Sequence, residues 1–231
     1  MAGSGNWSKA MAKCGWNVLI HDLKISEDHD FMRRNYVEWV KNEVRLGIIR
    51  SIHIGLCCST FTTARHPSLR TPHHPEGKPG LTDKEQIVCN NGNTLAEHTV
   101  EIFRFILDTK AKCSISCENP AGSYVWKLQS FRDLALDPRI SFVHTAYCSW
   151  GRKFQKFTTI MSNVESLPSK LNRPCCGLRV HEKRLAGDPR KAPCVKSTEG
   201  NAYPPRMTKV WAATTTQAFQ AWDDGASYPN F

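Results

Sequence analysis

No stretch of this chain approaches the roughly 18 consecutive apolar residues of a membrane helix, which excludes a helical span. The first residues lack the basic-then-apolar pattern of a secretory signal. The chain is therefore expected inside a cell, in the nucleus if the source is eukaryotic and in the cytoplasm otherwise. In that setting the 10 cysteines point to reduced core thiols, a reactive thiol or a metal site rather than to disulfides. Internal repeats and low-complexity runs are absent, which excludes a solenoid or a linker. One further absence concerns the start. The turn Ala2-Gly3-Ser4-Gly5 has the look of a cofactor turn, yet only Met1 stands before it, where such a turn normally hangs from the end of a strand.

What is present suits one soluble domain. The chain has 231 residues, 40% hydrophobic and 23% charged, enough to bury a sizeable core. Net charge is +10, and it is unevenly spread. Between Glu165 and Lys209 ten Lys or Arg face four Asp or Glu. Such a patch suits a polyanion, nucleic acid first, with a solvated basic tail as the alternative.

Periodicity predicts an alternation of helices and strands. Trp7 to Lys13 reads as a helix with Trp7, Ala10 and Met11 on one face. "WNVLIHD" reads as a short buried strand ending at Asp22. "DFMRRNYVEWVKNEVRLG" is amphipathic, with Phe31, Tyr36, Val40 and Val44 on one side and Gly47 as a stop. "IIRSIHIGL" is a strand, followed by a long polar loop, 57–81, rich in Pro and His and expected to be functional. His66, His73 and His74 on it are expected to be exposed and to assist phosphate contacts. "NGNTLAEHTVEIFRFILDTKA" is a helix, "CSISCEN", "ISFVHTAYC" and "FTTIMSN" are strands, 165–200 is loop-like, and "PPRMTKVWAATTTQAFQAW" is a last helix with Pro at its start. The expected fold class is α/β, a sheet with helices on both faces and ligands at the carboxyl ends of the strands.

The strand ends carry the chemistry. Cys57 and Cys58 follow "IIRSIHIGL", Cys117-Glu118-Asn119-Pro120 closes "CSIS", Asp22 closes the second segment, and Gly200-Asn201-Ala202-Tyr203-Pro204-Pro205 precedes the last helix. This order resembles the cytosine-C5 DNA methyltransferases, in which a Gly turn for S-adenosylmethionine, a Pro-Cys nucleophile, a Glu-Asn-Val acid and a Gly-Asn-Ala-Val-Pro-Pro motif follow one another. "CENPAGSYVW" also resembles a Glu-Asn-Pro-x-x-Ser-x-x-Trp variant of methyltransferase-like proteins of phages and mobile elements.

The resemblance implies a Rossmann-like S-adenosylmethionine-dependent methyltransferase sheet. It implies Cys58 as nucleophile and Glu118 as the acid. It implies cofactor contacts from Ala2, Gly3, Gly5, Asp22 on the ribose, Asp30 on the adenine, and Asn201. Trp7 is expected either to stack on the cofactor or to fill the core; capping explains Asp22 and Asp30 as well. Duplex DNA is the implied partner of a monomer, with Lys153, Lys156, Arg179, Lys183, Arg184 and Arg190 as phosphate contacts.

The sequence also departs from the family. Cys57 stands where the pattern has Pro, and Phe157 and Thr159 stand where "RKFQKFTT" would need the arginines of Gln-x-Arg-x-Arg. In place of a large target-recognition region there is only the basic stretch. The organisation expected is a core over 1–164, a Cys/Pro-rich basic insertion over 165–199, and a return to the core over 200–231. With no strand before Ala2, the chain reads as a truncated copy, one whose start lies upstream, or a degenerate relative. Its function is then methyl transfer to cytosine C5, nucleic-acid binding alone, or transfer to another base or to RNA. No metal is assigned, although Cys175, Cys176, His181 and Cys194 could bind zinc; plain reduced thiols and a surface histidine are the alternative.

Overall fold

Thr82 starts the longest helix. Its hydroxyl accepts the Glu85 N–H at 3.4 Å while the Glu85 carboxylate accepts the Thr82 N–H at 3.0 Å, a reciprocal capping box. That cap places α3 at Asp83–Asp108, beginning earlier than the apolar spacing alone predicts. The computed structural model describes residues 5–23, 25–177, 181–183 and 197–225. Among them the other helices of the sequence reading are α1 (Asn6–Lys13), α2 (Arg34–Arg45) and, at the far end, α7 (Pro205–Asp223). Three short helices escape a periodicity search because each spans barely a turn: α4 (Gln129–Leu134), α5 (Leu167–Leu171) and α6 (Ser197–Asn201).

Four strands form one mixed sheet in the order β1-β2-β4-β3. They are β1 (Ser51–Gly55), β2 (Ser114–Pro120), β3 (Ser141–Ala146) and β4 (Phe157–Ser162). β1 and β2 are parallel, with Gly55 opposite Glu118. β4 runs antiparallel to both neighbours, with Thr158 opposite Pro120 and Ala146 opposite Phe157. The carboxyl ends of β1, β2 and β3 therefore meet the start of β4 at one end of the sheet. This is the α/β class, with helices on both faces.

Alternation along the strands feeds two cores. Ile115, Cys117 and Met161 face Val37, Val40 and Val44 of α2 and Ile102, Phe103 and Ile106 of α3. Val143 and Ile160 point the other way, onto Trp7 and Met11 of α1 and Trp211 and Phe219 of α7. Each large apolar side chain so buried contributes about 1.5–3 kcal/mol of transfer free energy. Leu167 and Leu171 of α5 join the second core, so the start of the basic insertion belongs to the body of the domain.

The expected strand at 16–22 is not in the sheet. Among the described residues β1 has one neighbour, β2, and segment 16–22 pairs with no strand. A strand needs a partner for its backbone groups; without one the apolar run stays irregular, with Leu19 71% exposed. Trp16 ties it down instead, its indole N–H donating to Thr216 of α7 at 2.8 Å.

The long loop after β1 is held from inside. Arg70 is fully buried, and its guanidinium donates to the carbonyls of Pro75 and Cys89, to Asn93 Oδ1 at 2.7 Å and to Thr60 Oγ1 at 3.3 Å. It lies 3.8 Å from the centre of the Phe61 ring. Gly92 of α3 makes room: a Cβ there would sit 2.7 Å from Thr60 Oγ1 and 3.0 Å from Arg70 Nη2. His66, His73 and His74 are exposed on this loop, as expected.

Candidate functional site

Glu118 sits at the meeting point of the strand ends, buried, with both carboxylate oxygens engaged. Thr158 of β4 donates its hydroxyl to Oε1, and the Lys156 ammonium lies 3.7 Å from the same oxygen. Tyr203 donates its hydroxyl to Oε2 at 3.3 Å. Asn119 points to the opposite face and donates to the Leu56 carbonyl at 2.9 Å, which fixes the start of the cysteine loop against β2. The rest of "ENPAGSYVW" is structural: Ser123 caps the turn Tyr124–Lys127, and the Trp126 indole N–H returns to the Pro120 carbonyl at 2.9 Å.

Tyr203 is oriented by a half-buried relay. His53 of β1 lies 3.1 Å from Ser116 Oγ through Nδ1 and 3.0 Å from the Tyr203 hydroxyl through Nε2. Because the Tyr203 proton goes to Glu118, Nε2–H of His53 must donate to Tyr203 and Nδ1 must accept. The Asn6 amide and the Arg152 guanidinium both donate to the Tyr203 carbonyl, at 2.8 and 3.2 Å. The rings of Trp7, Trp211 and Tyr203 surround the His53 imidazole, with centroids 4.9, 4.7 and 5.5 Å away. Burial here pushes the His53 pKa down to about 3, so the ring is neutral. Burial, then Glu118, pushes the Tyr203 phenol up, keeping it a donor.

The depressed histidine has a consequence for stability. Between pH 6.5 and about 3 the unfolded chain holds a proton on His53 that the folded chain does not, so stability falls as pH falls through that window and is unaffected above it. The slope from this one group is about 1.4 kcal/mol per pH unit. Denaturant titrations of wild type and His53→Phe across the window should show a shallower pH dependence in the variant. Equal slopes would mean that His53 is protonated in the folded state.

Cys57 and Cys58 diverge after β1. Cys57 Sγ lies 3.1 Å from Ser59 Oγ. Cys58 is half-buried, and its carbonyl accepts the N–H groups of Phe61 and Thr62, closing the turn. Burial pushes the Cys58 thiol up; the Lys156 ammonium pulls it down, and Glu118 and Cys57 push it further up. Lys156 is thus the cation shared by the thiol and the carboxyl. Two surface cavities, of about 320 and 330 Å³, lie elsewhere, and neither is lined by Cys58 or Glu118.

The other expected site residues scatter. Gly5 caps α1 at φ 66. Trp7 is core rather than a cofactor platform, packed between His53 and Trp211. Asp22 is half-buried, its N–H on His29 Nδ1 at 3.3 Å. Asp30 accepts the Met32 N–H at 2.9 Å and pairs with Arg33 at 3.3 Å; it closes a local turn and does not cap α2, whose N-cap is Arg33. Asn201 is exposed at the end of α6. Lys153 and Lys183 pair with Glu182 and Glu199, at 2.8 and 3.0 Å. Lys156 faces Glu118 rather than the surface, because the residues entering β4 alternate and its neighbour Phe157 takes the exposed side. Cys175, Cys176 and His181 come together, joined by Cys148. Ala2, Gly3, Arg179, Arg184, Arg190 and Cys194 lie outside the described residues. The sequence reading missed His53, Arg152, Thr158 and the role of Tyr203. Only Tyr203 had a local signal, its place within Gly-Asn-Ala-Tyr-Pro-Pro. Compared with protein-family models, curated proteins and solved structures, the chain matches none.

Proposed function

We propose that this chain is a cytosine-C5 DNA methyltransferase-like protein. The observation that carries this reading is a thiol and a carboxyl at the carboxyl ends of adjacent parallel strands, Cys58 just past β1 and Glu118 opposite Gly55 in β2, with the Lys156 ammonium 3.7 Å from Glu118 and lowering the Cys58 pKa. C5 of cytosine is a weak nucleophile. Addition of a thiolate at C6 makes C5 enamine-like, and a carboxyl on N3 lets the ring accept that electron density. Cys58 and Glu118 are the residues for these two roles. Lys156 favours the thiolate, and Tyr203 and Thr158 hold the carboxyl in place. In duplex DNA the base must leave the stack to reach them.

S-adenosylmethionine is the cofactor of this reading and supplies an electrophilic methyl group when bound. The residues fit it in part. Gly5 opens α1, and among the described residues no side chain caps the helix, so its first N–H groups are suited to an anionic or polar ligand group. Beside Asp22, the cavity of about 320 Å³ is walled by His21, Tyr36 and Trp39, aromatic surface suited to a flat ring. Trp7, packed in the core, does not take part. A second reading, the same fold binding nucleic acid without transfer, is favoured by two observations: the Glu118 oxygens are already engaged, and burial raises the Cys58 thiol.

The test is methyl transfer from labelled S-adenosylmethionine to mixed-sequence DNA, with nucleoside analysis of the product. Label in 5-methylcytosine is expected. DNA binding without label supports the second reading, and label in adenine or in RNA overturns the cytosine assignment. Calorimetry separates a binding defect from a chemical one: a low-micromolar dissociation constant, about −8 kcal/mol, means that the cofactor half is intact.

A further inference from the structure

Three segments distant in sequence meet beside the site. The turn Tyr147–Trp150 follows β3, residues 173–177 follow α5, and residues 181–183 run alongside Phe154. They are cross-linked by backbone bonds: Ala146 N–H to the Arg173 carbonyl at 3.0 Å, Arg173 N–H to the His144 carbonyl at 3.2 Å, and Lys183 N–H to the Lys153 carbonyl at 3.0 Å. The Ser149 hydroxyl donates to the Pro174 carbonyl, and the Arg173 guanidinium stacks 3.8 Å over Trp150. At their junction lie Cys148, Cys175, Cys176 and His181, whose ligand atoms all fall within 4.8 Å of one another.

Three of the six edges lie close to those of a coordination tetrahedron, and all four ligand atoms lie within 4.8 Å of one another. Zinc–sulfur bonds of about 2.3 Å and a zinc–nitrogen bond of about 2.0–2.1 Å give tetrahedral edges of about 3.8 Å between sulfurs and about 3.6 Å between sulfur and nitrogen. Cys148 Sγ lies 3.6 Å from Cys175 Sγ, and His181 Nε2 lies 3.6 Å from Cys175 Sγ and 3.4 Å from Cys176 Sγ. Three cysteines and a histidine are one of the closed donor sets of structural zinc. The surroundings suit thiolates: Cys176 N–H donates to Cys148 Sγ at 3.4 Å, and the Gln155 amide donates to Cys175 Sγ at 3.1 Å. Without a cation three such sulfurs repel as thiolates and gain little as thiols.

We propose that Cys148, Cys175, Cys176 and His181 bind one structural zinc ion that clamps the root of the basic segment to the ends of β3 and β4. Cys148 takes the fourth place, for which the basic stretch itself offered Cys194. The ion sits next to the candidate active end of the sheet, because Tyr147, adjacent to Cys148, packs against the Lys156 ammonium at 4.8 Å from its ring centre. Its effect is to fix residues 173–177 and 181–183, the root of the basic stretch, against the candidate active end of the sheet. The site itself is independent of whether methyl transfer occurs.

The test is metal analysis of the full chain purified without chelator. About one equivalent of zinc is expected, replaceable by cobalt(II) with the visible d–d bands of tetrahedral thiolate coordination. Cys148→Ser and His181→Ala should reduce metal content to near zero, and Cys194→Ser should retain it. Mass-spectrometric mapping of alkylated thiols in the wild type avoids reliance on variants that fail to fold. Cys148, Cys175 and Cys176 should be protected until a chelator is added. The proposal is overturned if the wild type neither carries nor takes up zinc, or if chelation leaves the alkylation pattern unchanged. Loss of zinc from Cys194→Ser, or a Cys148–Cys175 disulfide in the metal-free chain as isolated, would overturn it as well.

Discussion

Cys58→Ser is expected to abolish covalent capture of DNA containing 5-fluorocytosine, while Cys57→Ser largely keeps it. Fluorine at C5 blocks the elimination that would free the enzyme after methyl transfer, so the nucleophile stays bound and the complex runs as a covalent adduct on a denaturing gel. A serine hydroxyl in the same place lacks the acidity to add at C6. The two cysteines do not share the role, because Cys57 turns to Ser59 while Cys58 shares its surroundings with Lys156 and Glu118. Burial leaves the Cys58 thiol protonated near neutrality, so its alkylation by iodoacetamide should rise with pH. Lys156→Gln removes the group that lowers the thiol pKa and should move that profile to higher pH. An adduct on Cys57 would mean that the loop register is wrong. No adduct at all, with cofactor and DNA both bound, leaves the binding-only protein.

Glu118→Gln should slow adduct formation by about 10²- to 10⁴-fold, the usual loss when a general acid is removed. Glutamine has one acceptor oxygen in place of two, so it can accept from Thr158 or from Tyr203 but not from both, and the unfolding free energy should fall by about 1 kcal/mol, the worth of one hydrogen bond, with the fold retained. Tyr203→Phe removes one hydrogen bond to the carboxylate and leaves the acid itself. Its expected cost is about 1–2 kcal/mol, roughly tenfold in rate. A rate unchanged in Glu118→Gln would remove Glu118 from the chemistry. A Tyr203→Phe defect as large as that of Glu118→Gln would make the relay from Ser116 through His53 the unit that acts.

Local pattern determined much of this protein. The 3.6-residue spacing of Trp7, Ala10 and Met11 and of Val40 and Val44 is written in the chain, and these residues are buried as the period requires; Phe31 and Tyr36, read onto the same face as Val40 and Val44, are only half-buried, and Val37 takes the core position. The β-branched runs at 51–55 and 157–162 became strands, and the cysteine just past β1 and the acid near the carboxyl end of β2 are the residues that the motif order singled out. These features are legible because each depends on neighbours a few positions away. The segment "WNVLIHD" has the same local appearance as the true strands and yet stays irregular, since a strand is completed by a partner that local composition does not encode.

The candidate centre depended almost wholly on such pairing. Lys156 looked like a phosphate contact because it stands in a basic run; the antiparallel insertion of β4 beside β2 turned it onto Glu118. His53 and Ser116 are unremarkable residues in two strands until the parallel register places them opposite each other. Cys148 lies in the turn after β3 and Cys175 follows a helix, so nothing local joins them, and the basic stretch by itself offered Cys194 instead. Sequence by itself determined which residues could form helices, strands and reactive ends. Only the tertiary structure decided which of them meet, because long-range contacts are set by strand order and by which face of the sheet each residue occupies.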